Sequence, residues 1–215
     1  MIAAAGSGQR LGAGGPKALV DVAGRPLLDW SLEAFRAAPS IEELVVATPP
    51  GMESSVAERG VLAVAGGEHR SQSVANALEL CGGDVVLVHD AARPLVTPEL
   101  IEAVVSRLAA DEDAAGVIAA SPVTDTIKQA GDGGEVERTL ERSGLWAVQT
   151  PQAFRAEALR AALADPDSLP DATDDAMLVE GRGGRVLIHP SSPDNIKVTT
   201  PFDLRVAEML LQARS

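Results

Sequence analysis

Val85-Val86-Leu87-Val88-His89-Asp90-Ala91-Ala92-Arg93-Pro94 decides the reading of this chain. Its first four residues are apolar at every position, so neither face of a strand built from them could stay in water. Such a run predicts a strand buried on both faces, as in a parallel sheet covered by helices. Leu44 to Ala47, Val61 to Ala65 and Ala114 to Ala120 repeat the pattern, and Arg185 to His189 reads as a further strand. The segments between them have helical spacing. Leu27, Leu28, Trp30, Leu32 and Phe35 predict a helix from Leu27 to Ala37 packed on the sheet. A further helix opens after the glycine pair Gly66-Gly67 and runs to Leu80. Thr97-Pro98 starts one reaching Ala110, with Thr as N-cap and Pro in the first turn. Residues 155–164 form an Ala/Leu helix, and Thr173-Asp174-Asp175 cap another to about Gly181. Thr200-Pro201-Phe202-Asp203 carries the cap, proline and acid of a last helix start. Strands alternating with helices predict an α/β fold: a Rossmann-like three-layer sandwich around a mostly parallel central sheet.

One region breaks the alternation. Asp125 to Lys128 and Val136 to Thr139 are short β-like pieces around Gly131-Asp132-Gly133-Gly134, the signature of a hairpin. The hairpin is polar, and an isolated two-stranded ribbon is marginal in water. Residues 122–146 are therefore expected to form a protruding β-arm of a single domain spanning 1–215, with a second subunit as its packing partner and dimerisation its role. Leu145 to Thr150 then return to the body.

In an open parallel sheet, ligands bind beyond the carboxyl ends of the strands. Asp90 falls at that place on the central strand. It reads as a carboxylate for Mg²⁺, which takes one or two carboxylates with phosphate oxygens and water, or as a plain loop or cap residue. His89 beside it reads as structural. At the other end of the chain, Ala3-Ala4-Ala5 leads into Gly6-Ser7-Gly8-Gln9-Arg10-Leu11-Gly12-Ala13-Gly14-Gly15-Pro16-Lys17, a loop with five glycines and two cations, Arg10 and Lys17. Glycines let backbone N–H groups approach a ligand closely, and successive free N–H groups form an anion-binding concavity. With two cations alongside, the loop predicts a triphosphate site. It is not a Walker A loop, since Lys17 is followed by Ala18 rather than Ser or Thr. Nor is it a dinucleotide fingerprint, since Leu11 stands where the third glycine belongs. Residues 66–73, opening a helix, are either a second anion- or base-reading place or simple capping by Ser71 or Gln72.

Composition narrows the partners. Of 215 residues, 46% are hydrophobic, enough for a full core, whereas only 2% are aromatic. Aromatic stacking platforms for single strands are therefore scarce. A formal net charge of −13 argues against nucleic acid and anionic membranes. The single Cys81 excludes an intrachain disulfide, fits a reducing compartment and reads as a small buried hydrophobe. No apolar run approaches the ~18 residues of a membrane span, and no basic segment precedes Met1-Ile2-Ala3, so no signal peptide is expected. A cytoplasmic setting follows.

Ala4-Ala5-Gly6-Ser7-Gly8-Gln9-Arg10 with Pro16-Lys17 resembles the nucleotidyltransferases that activate sugars and alcohol phosphates. Val88 to Pro94, Gly144-Leu145-Trp146-Ala147-Val148-Gln149-Thr150-Pro151-Gln152, Thr173-Asp174-Asp175 and Asp194-Asn195-Ile196-Lys197-Val198-Thr199 complete the pattern in order. Together they resemble the 2-C-methyl-D-erythritol 4-phosphate cytidylyltransferase family over nearly the whole chain. The resemblance implies an Mg²⁺-dependent homodimer that makes CDP-methylerythritol and pyrophosphate from CTP in non-mevalonate isoprenoid synthesis. It implies that Arg10 and Lys17 stabilise the reacting α-phosphate and the leaving pyrophosphate. Ala4, Ala5, Gly6, Ser7, Gly8, Gly67, Arg70 and Ser73 would hold the nucleotide, with Asp90, Ala91 and Arg93 beside it and Asp90 on the metal. Thr173 and Lys197 would grip the acceptor phosphate, joined by Arg142 from the partner subunit. The family has Pro where this chain has Ala3, and a longer lead-in to the first strand, so that strand is expected to be weak. The same scaffold would also serve another polyol phosphate such as ribitol 5-phosphate. A catalytically silent nucleotide binder would have lost Arg10, Lys17 or Asp90, and all three are present.

Overall fold

The computed structural model describes residues 1–8, 11–12, 14–164, 172 and 174–214. The expected Arg10 and Thr173 sites therefore lie outside the described residues. Seven strands form the central sheet: β1 (Ile2–Ala3), β4 (Val45–Thr48), β5 (Leu62–Ala65), β6 (Val85–Asp90), β7 (Gly116–Pro122), β10 (Trp146–Arg155) and β11 (Val186–Pro190). Their order across the sheet is β11-β7-β10-β6-β1-β4-β5. β1, β4, β5 and β6 run parallel, as do β7 and β11. β10 alone lies antiparallel to both its neighbours, β6 and β7.

The apolar runs are continuous because each strand feeds two cores. Ile2, Val46, Leu87, Val117 and Ala153 point to one face, where Leu28, Leu32 and Phe35 of α1 (Leu27–Ala37) and Ile101, Val104 and Leu108 of α4 (Pro98–Ala109) cover them. Their neighbours Val45, Val86, Ile118 and Phe154 point to the other face. There they meet α3 (Arg70–Leu78), α5 (Ala156–Ala162) and α6 (Asp175–Gly181). Gly116 has no side chain because Phe154 needs the space: a Cβ there would lie 2.5 Å from the ring. A third, smaller cluster packs α7 (Pro201–Gln212) against Leu11, Val22, Leu95 and Val198, beside the carboxyl ends of the central strands.

Several local expectations shift. Lys17–Leu19 form a 3₁₀ turn, and a short ladder follows in which β2 (Asp21–Val22) pairs with β3 (Arg25–Pro26). Residues 53–57 form the short helix α2. Cys81 just after α3 is half-buried. The return from the arm is a ten-residue strand, longer than its first apolar residues suggest. The hairpin is present as β8 (Lys128–Ala130) and β9 (Val136–Thr139), forming a separate two-stranded sheet. Its first strand starts at Lys128, not Asp125. Every residue of both strands is exposed. The arm leaves and rejoins the sheet where Pro122 pairs with Trp146. Among the described residues, no helix is long and apolar enough to cross a membrane.

Candidate functional site

The central strands β1 and β6 open at their carboxyl ends into a cavity of about 500 Å³. The glycine loop forms one wall. Lys17 N–H donates to the Gly6 carbonyl at 3.0 Å, and Leu11 N–H to that of Gly8 at 2.9 Å, so the loop closes back on itself. Gly8 takes φ +71°, and a Cβ there would stand 2.9 Å from the Gly15 carbonyl oxygen. Only glycine meets both demands without strain.

The start of α3 forms the opposite wall. A Cβ on Gly66 would lie 2.4 Å from that of Ala5, so the bare backbone brings this segment against the glycine loop. Ser73 Oγ accepts from Gly67 N–H at 3.1 Å and donates to the His69 carbonyl at 3.2 Å. The N-cap is His69, not Ser71 or Gln72. Gln72 reaches back from the first turn, its Oε1 accepting from His69 N–H at 3.0 Å.

Charge in the cavity is arranged around Asp90. Arg70 Nε donates to Asp90 Oδ1 at 3.1 Å, and Lys197 Nζ lies 2.6 Å from Oδ2. Arg70 Nη2 lies 2.8 Å from Asp175 Oδ2. Burial opposes the Asp90 charge, but Arg70 and Lys197 outweigh it and hold the carboxyl well below the usual range. Burial likewise opposes the Arg70 charge, and Asp175 and Asp90 together raise its pKa above the ordinary value. At Asp175 burial wins over Arg70 and pushes the carboxyl up.

A buried polar frame behind the cavity fixes these groups. Asp90 N–H donates to Thr150 Oγ at 3.1 Å, and that hydroxyl sits 2.9 Å from His89 Nδ1. His89 Nε2 lies 3.2 Å from the Arg93 carbonyl. The network is satisfied when Thr150 donates to Nδ1 and His89 donates from Nε2, which assigns a neutral ring. Burial pushes the His89 pKa down to about 3, in keeping with that assignment. Arg93 donates to the carbonyls of Asn195 at 2.7 Å and Val148 at 3.2 Å. Asn195 Nδ2 donates to Gln149 Oε1 and the Thr150 carbonyl, and Val198 N–H to the Ala92 carbonyl. The segment carrying Lys197 is thus stitched to β10 and to the turn that follows β6.

Among the described residues, the structure brings Ala4, Ala5, Gly6, Ser7, Gly8, Lys17, Gly67, Arg70, Ser73, Asp90, Ala91 and Lys197 to one cavity lining. Arg93 is not in that lining; its guanidinium is buried beneath it on backbone carbonyls. Arg142, exposed in a 3₁₀ turn after the arm, donates to the Thr124 carbonyl away from its own chain's cavity. Sequence reasoning passed over Thr199 and His69, which line the cavity, and Asp175, which sits behind it. The second acid of Thr173-Asp174-Asp175 was the available signal, hidden because an acid in the first turn of a helix is ordinary.

Among the described residues no three His, Cys, Asp or Glu side chains converge as a metal cage. Asp90 keeps unused lone pairs on an ionised carboxylate in the lining of the cavity. That donor set fits a hard cation bound through one carboxylate, with phosphate oxygens and water completing its sphere.

The family model described as "IspD: 2-C-methyl-D-erythritol 4-phosphate cytidylyltransferase" matches residues 1–213. The chain is 45% identical over 216 residues to the protein of that name from Frankia casuarinae, covering 98% of this chain and 80% of that one. It is 44% identical to the namesake from Rubrobacter xylanophilus, covering 100% and 94%. The crystal structure of the enzyme from Thermus thermophilus superposes with a TM-score of 0.80 at 37% identity, covering 98% of this chain and 97% of that one.

Proposed function

The chain belongs to the 2-C-methyl-D-erythritol 4-phosphate cytidylyltransferase family, and on that premise we propose how its cavity performs the family's reaction. The reaction moves a cytidylyl group from CTP to 2-C-methyl-D-erythritol 4-phosphate, releasing pyrophosphate and CDP-methylerythritol for isoprenoid synthesis. The observation that carries our reading is the meeting of the glycine loop, Lys17, Arg70, Asp90 and Lys197 around one cavity.

The acceptor phosphate attacks the α-phosphorus in line, and pyrophosphate leaves. The protein forms no bond to substrate; it positions and it compensates charge. The backbone of Ala4 to Gly8, with Gly67 and Ser73, seats the nucleoside and its phosphates. Lys17, held by its own N–H on Gly6, faces the charge that grows on the α- and β-phosphates, and Arg10 is assigned to the same charge. Lys197 draws in the acceptor phosphate, and Thr173 is assigned to the same grip. Arg93 serves by holding the Lys197 segment. Mg²⁺ would be held by Asp90 and would neutralise the polyphosphate when bound. The exposed arm joins two chains into a homodimer and presents Arg142 to the partner's acceptor site. The enzyme works in the reducing cytoplasm.

Two measurements test these parts. Chelation of Mg²⁺ should stop CTP-dependent pyrophosphate release, and added Mg²⁺ should restore it; release that persists in a chelator refutes the metal requirement. Mixing Lys17→Ala with Arg142→Ala subunits should restore about a quarter of wild-type activity, because half the dimers then contain one intact site of two. No recovery despite subunit exchange would place Arg142 outside the partner's site.

A further inference from the structure

Among the described residues, Asp175 is the acid of the network that does not line the cavity. It is 1% exposed, and beyond its ion pair with Arg70 neither carboxylate oxygen has a hydrogen-bond partner among them. A buried carboxylate in that condition is costly, and the ion pair with Arg70 is what offsets its desolvation. Its place is built with care. Asp174 caps α6, with Oδ1 accepting from Met177 N–H at 3.0 Å. Gln152, fully buried on β10, donates through Nε2 to Asp174 Oδ2 at 3.2 Å. The first turn of α6 is thereby tied to the central sheet, and Asp175 is aimed at α3. Arg70 bridges from there to Asp90, using Nη2 for Asp175 and Nε for Asp90.

We infer that Asp175 is a positioning residue that holds the Arg70 guanidinium toward the nucleotide when substrate and cation draw on Asp90. This rests on the reading of the cavity as a CTP site. Arg70 has two carboxylate anchors, and only Asp90 faces the ligands. Any contact that Asp90 makes to a bound cation competes with its hold on Arg70. The rear anchor on α6 is out of reach of that competition. A planar guanidinium can serve both carboxylates at once, which a lysine ammonium could not do with the same geometry. The arrangement also links the segment beside Thr173 to the nucleotide wall through one residue.

The test is CTP binding by calorimetry, without Mg²⁺ and with it, for wild type, Asp175→Asn, Arg70→Gln and the double variant. Asp175→Asn keeps the shape and an acceptor oxygen but removes the charge that anchors Arg70. It should weaken CTP on the order of tenfold, the scale on which groups one step behind a ligand act, with the loss appearing in KM for CTP more than in kcat. In the Arg70→Gln background the same change should do nothing further, since coupled residues are not additive. Asp175→Asn that folds and binds CTP as wild type does overturns the inference. So does an equal loss in both backgrounds, which marks a structural role. If Asp175→Asn alone does not fold, the comparison moves to the Arg70→Gln background, where unchanged affinity supports the inference and further loss overturns it. Wild type that fails to bind CTP at all would instead overturn the CTP-site reading, and this inference with it.

Discussion

Replacing Gly8 by Ala tests the glycine loop as a rigid cradle. The residue sits at φ +71°, where an L side chain costs roughly 1–2 kcal/mol. Its Cβ would also lie 2.9 Å from the Gly15 carbonyl oxygen and 3.2 Å from the Lys17 backbone. Both are backbone atoms, so no rotamer relieves the contact; the loop itself must move. With contact and conformation together, about 2–3 kcal/mol must be absorbed, within the range of locally stored strain. A loop that relaxes to shed this loses the geometry proposed to bind the triphosphate. The loss converts to about 30- to 150-fold in kcat/KM at 1.36 kcal/mol per decade. The assay is steady-state pyrophosphate release from CTP, with Tm measured alongside. Tm should move by only a few degrees, because the loop contributes little to the two main cores. Gly82→Ala is the matched control, since its Cβ meets nothing within 4 Å. Wild-type kcat/KM in Gly8→Ala would refute the cradle; so would an equal loss in the control.

Lys17→Met should lower kcat on the order of 10²–10³ while CTP affinity changes only a few-fold, since the ammonium acts on developing charge; single-turnover kinetics with calorimetry separate the two. Arg93→Met removes two charge-assisted hydrogen bonds, one to the buried Asn195 carbonyl and one to the part-buried Val148 carbonyl, about 3 kcal/mol in all. Tm should then fall by about 6–12 °C for a chain of this size, and calorimetry showing no drop would remove Arg93 from its clamping role. Asp203 is held down to about 2 chiefly by the Thr199 hydroxyl and then by Thr199 and Thr200 N–H groups. Its folded pKa is depressed, so its contribution is present above the unfolded value of about 4 and fades as pH falls from there toward about 2. Asp203→Asn should cost about 1 kcal/mol at neutral pH and flatten the acid limb of a denaturation series; an unchanged limb contradicts the capping role.

The sheet was legible because Val45-Val46, Val86-Leu87 and Val117-Ile118 alternate between two apolar cores, which leaves no polar position in the run. β10 was harder. Its second half, Pro151 to Arg155, mixes Gln and Arg with Ala and Phe, and Gln152 is buried only because Asp174 and the Gln149 carbonyl receive its amide. The Asp174 carboxylate lies 22 residues away in sequence, so that half of the compensation cannot be read locally. The glycine loop, Asp90 and Lys197, which meet in one cavity, could be picked out in the sequence as charges beside glycines or at strand ends. Arg93 looked the same but is consumed by carbonyls from two distant segments. Asp175 hid for the converse reason: its role exists only because α3 and α6 pack on the same face of the sheet.

The most direct test of the central claim is pyrophosphate release from CTP with Mg²⁺, comparing 2-C-methyl-D-erythritol 4-phosphate with ribitol 5-phosphate as acceptor. The account predicts release with the first and little with the second. Release with the second alone would contradict the assigned acceptor, and release with neither from folded protein would contradict catalysis at this cavity.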